Sequence, residues 1–364
     1  MSGLQRGLAL VGGGLAALAL VLALVGGGAP ALMLAFLVLG TLSLVRFVRP
    51  LPFWLDGAPA VLGGAALILT LPEYETEPVW FWLALVAAWA FAWLFVEQLS
   101  SAIRRRELSG RALGLLIPLV FGLALLVIWE AITRGANVPQ VLLPAPSQIA
   151  SRIGASAATL WADFQQTFKG MMAGYALGCG SGFLVAILVD RSPFLKRGLL
   201  PIGNFVSALP IIGIAPILVM WFGFDWQSKA AVVVCMTFFP MLVNTVAGLN
   251  VSSSIERDLM RTYAAGYWQT LLKLRLPAAA PFIFNALKIN STLALIGAIV
   301  AEFFGTPIVG MGFRISTEVG KLNIDLVWAE IAVAAVVGSA FYGVIALIER
   351  AVTFWHPSVR SGRG

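Results

Sequence analysis

The sequence predicts an all-α polytopic membrane protein. Three observations carry that expectation: a 60 % hydrophobic and only 11 % charged composition, a mean hydropathy of +0.92, and repeated apolar runs of about 20 residues, each long enough to cross a hydrocarbon core of about 30 Å. A water-soluble domain carries about 25 % charged residues, so that class is excluded. Within lipid, every backbone N–H and C=O must be satisfied internally, which leaves helices as the spanning element for such runs.

Ten spans are expected, near 7–27, 30–48, 53–71, 79–98, 112–133, 168–190, 198–222, 229–250, 282–303 and 326–349. The first follows a short segment with one arginine, Arg6, and could pass for a signal peptide. Its apolar core is longer than the usual 7–15 residues and further spans follow at once, so it reads as a retained span. Glycine triplets at 12–14 and 26–28 suit either close helix packing or a loosely specified lipid-facing helix. Asp56 and the Gly63-Gly64 pair interrupt the third run. The run IRRRELSGR at 103–111 is the clearest linker; it separates an N-terminal extension, 1–102, from a core at 112–356 and a tail at 357–364. The extension holds no deep charge and reads as a packing or assembly element.

With the N-terminus in the cytoplasm, 18 of the 24 basic residues fall on the cytoplasmic side, and the acidic EYETE loop, 73–77, falls outside. The positive-inside rule thus places both termini in the cytoplasm. The net charge of +7 follows from this topology. No basic patch interleaved with aromatics suggests nucleic-acid binding.

In the span at 168–190, Gly170, Gly174, Gly178 and Gly182 recur every four residues, one smooth face along which a second helix can approach, in this chain or another. Pro210 and Pro216 interrupt the span at 198–222 and permit a bend, either a hinge lining a cavity or a static kink. Asn244 and Thr245, beside Phe238-Phe239-Pro240, form one polar group; Asn285, Asn290, Ser291 and Thr292 form another, suited to helix contacts or to a ligand. Glu302 is the strongest single candidate, an acid at the outer end of an apolar run, with a backbone N–H, Lys229 or Arg314 as its expected partner.

Between two apolar runs lies a polar island, Ser252 to Pro277. Ile255, Leu259, Tyr263 and Tyr267 recur every four residues, with Met260, Ala264 and Trp268 beside them and Glu256, Arg257, Asp258 and Arg261 opposite. That periodicity predicts an amphipathic helix outside the bilayer, stopped at Leu276-Pro277 because proline has no N–H to donate. It either rests on the lipid surface or projects to meet a partner.

No catalytic set is apparent. Cys179 and Cys235 lie in spans without metal-ligand spacing, the lone His356 sits in the tail, and no span pairs two carboxylates. The phosphate-gripping signature G-x4-G-K-[ST] is absent, since Gly320-Lys321 is followed by Leu322, so any ATPase belongs to another polypeptide.

The island resembles the cytoplasmic loop of binding-protein-dependent ABC transporter permeases, E-A-A-x3-G-x9-I-x-L-P. Anchored on Leu276 and Pro277, it sets the acid on Asp258, the third position on Met260, the glycine on Ala264 and the aliphatic on Leu274. LPAPSQI (143–149), ALPIIGIAPILVMWFGF (208–224), FFPMLVNTVAGL (238–249), AIVAEFFG (298–305) and GMG (310–312) look like successive segments of the nitrate, sulfonate and taurine branch, over roughly 111–356. That resemblance implies a type I importer permease of six core helices in a bacterial inner membrane. It would be paired with a second copy, with two ATPase subunits that hold ATP and Mg2+, and with an extracytoplasmic solute-binding protein. Substrates of this branch are sulfonates, nitrate or pyrimidine precursors. Ile255, Asp258, Leu259, Arg261, Tyr263, Ala264, Ala265, Gly266, Tyr267 and Trp268, with Leu276 and Pro277, would then form the ATPase-coupling helix; Pro210, Pro216, Asn244, Thr245, Asn290 and Glu302 would belong to the pathway or its gate. The competing class is a secondary transporter or channel that needs no ATPase, against which stands the lack of a carboxylate or histidine relay through the spans.

Overall fold

A computed structural model describes residues 2–26, 57–70, 78–105, 111–207, 209–305 and 309–355. The expected span at 30–48, the loop 73–77, the middle of the linker 103–111, His356 and the tail 357–364 lie outside the described residues. Every regular element among the described residues is helical, and seven are long and apolar enough to cross a membrane. The chain divides into two compact units, Met1–Ser151 and Arg152–Gly364.

The first unit contains α1 (Gly3–Gly26), α2 (Gly57–Thr70), α3 (Val79–Arg104) and α4 (Arg111–Gly135). Its core sets small side chains of α1 against small and aromatic side chains of α3. Ala9, Ala16, Ala19 and Ala23 line one face of α1 and join Ala84, Ala87 and Phe91 of α3. A Cβ at Gly12 would lie 3.3 Å from the Phe91 ring, so this part of the glycine triplet serves close packing. The described part of the expected 53–71 span is the 14-residue α2, about 21 Å long at 1.5 Å per residue and shorter than the hydrocarbon core.

A short helix, α5 (Pro146–Ala155), leads to the second unit. There α6 (Ala157–Arg191) is followed by α7 (Pro193–Ser207), α8 (Ile211–Phe222) and α9 (Trp226–Leu249). Next come α10 (Ser254–Thr262) and α11 (Tyr267–Thr270), then a π-helical turn, Leu271–Arg275, that runs into α12 (Leu276–Phe304). The unit closes with α13 (Met311–Gly320) and α14 (Ile324–Val352).

The expected span at 198–222 requires correction. It is two helices, α7 and α8, neither among the helices long enough to cross alone. Pro210 is extended (φ −69°, ψ 110°) at the N-cap of α8 and disfavours helical geometry at the residue before it. Pro216 sits inside α8.

The glycine stripe of α6 meets α9 of the same chain. A Cβ at Gly170 would lie 2.8 Å from the Lys229 Cβ, at Gly174 2.7 Å from the Ala230 carbonyl oxygen, and at Gly182 2.5 Å from the Phe238 carbonyl oxygen. At Gly178 it would run into the Thr237 hydroxyl, 2.0 Å away. The contact advances four residues on each helix at a time, so the backbones run alongside one another with no side-chain layer between them on the α6 side.

Candidate functional site

The polar island folds differently from a single amphipathic helix. Ser253 caps α10: its hydroxyl accepts from the Glu256 N–H at 3.2 Å, and the Glu256 carboxylate accepts from the Ser253 N–H at 2.8 Å. At the other end Ala264 takes the left-handed conformation (φ 51°). The Ala265 N–H donates to the Met260 carbonyl at 3.0 Å and the Ala264 N–H to the Arg261 carbonyl at 2.9 Å, the paired bonds of a Schellman stop. The chain therefore breaks at Ala264–Gly266 and restarts as α11 at Tyr267.

Leu276-Pro277 is not the stop. Pro277 lies in the first turn of α12, where its missing N–H costs nothing. The π turn just before it, with its i→i+5 bonding, relaxes the ladder that a proline would otherwise break.

The two short helices present one outward face. Ile255 is 79 % exposed, Leu259 56 %, Tyr263 77 %, Trp268 57 % and Leu272 61 %. Asp258 and Arg261 pair with each other at 3.2 Å on the exposed surface of α10. Tyr267, counted in the same stripe from sequence, turns inward. Its hydroxyl donates to Asp190 Oδ2 at 3.3 Å, and the Arg191 guanidinium lies 5.2 Å from its ring centroid. Arg275 fixes the segment from behind, bidentate to both Asp190 oxygens at 2.7 Å each and donating from Nε to the Leu249 carbonyl at 2.9 Å.

At the opposite end of α6, Glu302 belongs to a second cluster. Three consecutive backbone N–H groups open α13, and each finds a buried side-chain acceptor. Gly310 donates to Asp163 Oδ1 at 2.7 Å, Met311 to Thr167 Oγ1 at 2.9 Å, and Gly312 to Glu302 Oε2 at 2.8 Å. The Thr167 hydroxyl in turn donates to Glu302. These are the donors a helix start leaves unpaired, so Glu302 is a cap shared with α6. The glycines of GMG make this possible: a Cβ at Gly312 would lie 2.1 Å from the Ile299 carbonyl oxygen, and one at Gly310, where φ is 142°, would lie 2.8 Å from the Glu302 carboxyl.

Arg314 pairs with Asp163 at 2.8 Å, and that hydrogen bond holds its guanidinium above its already high pKa. Lys229 donates to the Phe224 carbonyl. Neither cation hydrogen-bonds Glu302 in the manner expected from sequence.

The remaining candidates are scattered. Asn290 is fully buried where α6, α9 and α12 cross, donating to the Thr237 carbonyl at 2.8 Å and to the Cys179 sulfur at 3.2 Å. Asn244 donates to the Pro240 carbonyl one turn back. Thr245 is fully buried, and its hydroxyl has no hydrogen-bond partner among the described residues. Pro210 takes part through its carbonyl alone, accepting from the Gly213 N–H at 2.9 Å at the start of α8. No metal-holding group of histidine, cysteine or acidic residues occurs among the described residues.

Sequence reasoning missed Asp163, Thr167, Asp190, Arg275 and Glu330 as members of clusters. No span pairs two carboxylates within itself, but three spans bring one each together: Asp163, Glu302 and Glu330 are all buried, and Glu330 lies beside Asp163. Because each comes from a different helix, no single-span pattern reveals them.

Comparison with known proteins agrees with this architecture. Residues 174–354 match the family model described as "binding-protein-dependent transport system inner membrane component". A riboflavin transport system permease protein of Chloroflexus aurantiacus is 30 % identical, over 72 % of this chain and 98 % of that protein. A formylaminopyrimidine transport permease protein of Halalkalibacterium halodurans is 32 % identical, over 67 % and 98 %. A taurine transport system permease protein of Escherichia coli is 25 % identical, over 65 % and 88 %.

Proposed function

The chain belongs to the binding-protein-dependent transport system inner membrane components, and from that premise we propose that its 254–272 face is the dock of a separate ATPase. The protein is a multi-pass permease subunit of an ABC importer. The observation that carries the dock is the outward face of residues 254–272, where the five large side chains Ile255, Leu259, Tyr263, Trp268 and Leu272 are exposed on a segment that Ser253 caps at its start and Arg275 pins from behind. An exposed aromatic-aliphatic patch on a rigid support is the kind of surface a protein partner buries.

In the full reading, two copies of the permease surround one pathway, and two ATPase subunits, carrying ATP and Mg2+, sit beneath them on the cytoplasmic side. Both termini lie on that side in this reading, which the bias of the basic residues supports. ATP binding draws the two docks together and turns the pathway outward, where a solute-binding protein delivers its load. The permease itself contributes differential binding between two states and no covalent step. The substrate is a small organic nutrient, of the heteroaromatic or sulfonate kind that the relatives' names record.

Replacing both Tyr263 and Trp268 with alanine tests the dock. The double variant should keep its thermal unfolding profile, because both side chains are exposed, and should lose capture of its ATPase from detergent-solubilised membranes. Capture at the wild-type level would remove the basis for the assignment.

A further inference from the structure

We propose that the Asp190–Arg275 pair is the joint that makes α6 and α9 follow the 254–272 surface when that surface moves. This inference rests on the docking reading above and adds the route by which the docked partner acts on the spans.

Three chain segments meet at the joint. Asp190 is the penultimate residue of α6, Leu249 is the last residue of α9, and Arg275 ends the π turn that leads into α12. The Arg275 guanidinium touches all three parts at once, through two bonds to the Asp190 carboxylate and one to the Leu249 carbonyl. A two-pronged contact fixes orientation as well as distance, which a single point charge such as lysine cannot do. Both side chains are largely withdrawn from solvent, 4 % exposed for Asp190 and 12 % for Arg275, so water competes little for the contact. Leu249, Leu271 and Ala279 are buried together beside it, which removes slack beneath the pair.

The joint also reaches the docking face. Tyr267 donates to the same Asp190, and its ring meets the exposed Trp268 edge-on with centroids 5.4 Å apart. Load placed on Trp268 therefore passes through one aromatic contact to the carboxylate at the end of α6. By contrast α10 buries no side chain of its own, so the inward contacts of this surface are those of Tyr267 and Arg275.

The test separates a transmitting pair from one that merely holds the fold. Replacing both partners with apolar side chains, Asp190→Leu with Arg275→Met, removes the charges together and leaves neither one buried alone, an exchange that folded proteins often tolerate. In a background with Cys179 and Cys235 changed to serine, spin labels are placed at Leu188→Cys, exposed near the end of α6, or at Arg257→Cys on α10. Separations between the two copies are then measured in the ATPase complex with and without a non-hydrolysable ATP analogue. The wild-type pair should show a shift at both positions. The double variant should capture the ATPase and keep the shift at 257 but lose it at 188. An undiminished shift at 188 would overturn the joint while leaving the dock intact. Failure of the wild-type chain to capture an ATPase would overturn both. If the double variant does not fold, Arg275→Lys, which keeps the charge and loses the fork, should diminish the shift at 188; a full shift would again overturn the joint.

Discussion

The two ends of α6 are each fastened to the helical run of the π turn and α12, and they are fastened in different ways. Asp163 and Asp190 lie 27 positions apart on α6, and Arg275 and Glu302 are also 27 apart where the chain runs the other way; at 1.5 Å per residue each interval is about 40 Å. At the Glu302 end, buried acceptors capture backbone N–H groups, glycines admit them, and the polar atoms are turned inward on one another. At the Asp190 end the fastening is a side-chain fork, and beyond it stands an apolar face that stays exposed among the described residues. The first arrangement closes a structure; the second holds a surface ready for another. Between them Asn290 bridges α6 and α9 at mid-height, so the helices are tied at three levels.

Breaking the closed end should have the largest effect. Glu302→Ala leaves the Gly312 N–H and the Thr167 hydroxyl without their buried acceptor, at roughly 1–3 kcal/mol each, for a total on the order of 4 kcal/mol. Glu302→Gln keeps one carbonyl oxygen in place and should cost less than half of that. Thermal unfolding in detergent reads the difference; equal midpoints for the two variants would mean that capping is not the role of this side chain.

A smaller loss is expected along the length between the ends. Gly174→Ala sets a Cβ 2.7 Å from the Ala230 carbonyl oxygen and 2.5 Å from the Val233 Cβ, and because one of these is backbone the helices must separate, at about 2–3 kcal/mol. Gly180, with open space at its Cβ, should accept alanine without loss in the same assay. A matched loss at both sites would point to helix propensity or lipid contact in place of the α6–α9 approach.

The smallest effect is a gain at the open end. Ala264 holds a left-handed conformation that costs an L-residue roughly 1 kcal/mol or more and glycine little. Ala264→Gly should therefore stabilise the turn after α10, seen as slower amide exchange over 254–265 with the rest of the unit unchanged. Faster exchange there would contradict the Schellman assignment.

The same contrast explains what could be read from the sequence. The exposed apolar face was legible because its signal is local: Ile255, Leu259 and Tyr263 repeat within one short stretch. The turn inside it was not, although Gly266 and the glycine position of the loop pattern at Ala264 mark it, because an unbroken four-residue period outweighs one small residue. Pro277 misled because a missing N–H suits the first turn of a helix as well as its end. Gly170 to Gly182 announced a close approach but not the partner. The knot at Glu302 was largely invisible: Thr167 and Glu302 are 135 positions apart, and Asp163 and Gly310 are 147. Only the glycine pair of GMG, ten residues after Glu302, hinted that a backbone closes on that side chain.

The most direct measurement compares the two ends under one reagent. Leu259→Cys on the docking face and Val319→Cys on α13 are both well exposed positions, and each is placed in the background with Cys179 and Cys235 changed to serine. Inverted membrane vesicles are treated with a membrane-impermeant maleimide, with and without the purified ATPase. The thiol at 259 should react in vesicles alone and become shielded when the ATPase is added, whereas the thiol at 319 should react only from the opposite side of the membrane and be indifferent to the ATPase. Labelling at 259 that is unchanged by the ATPase, or shielding at 319 in its place, would contradict the assignment of the open end as the dock.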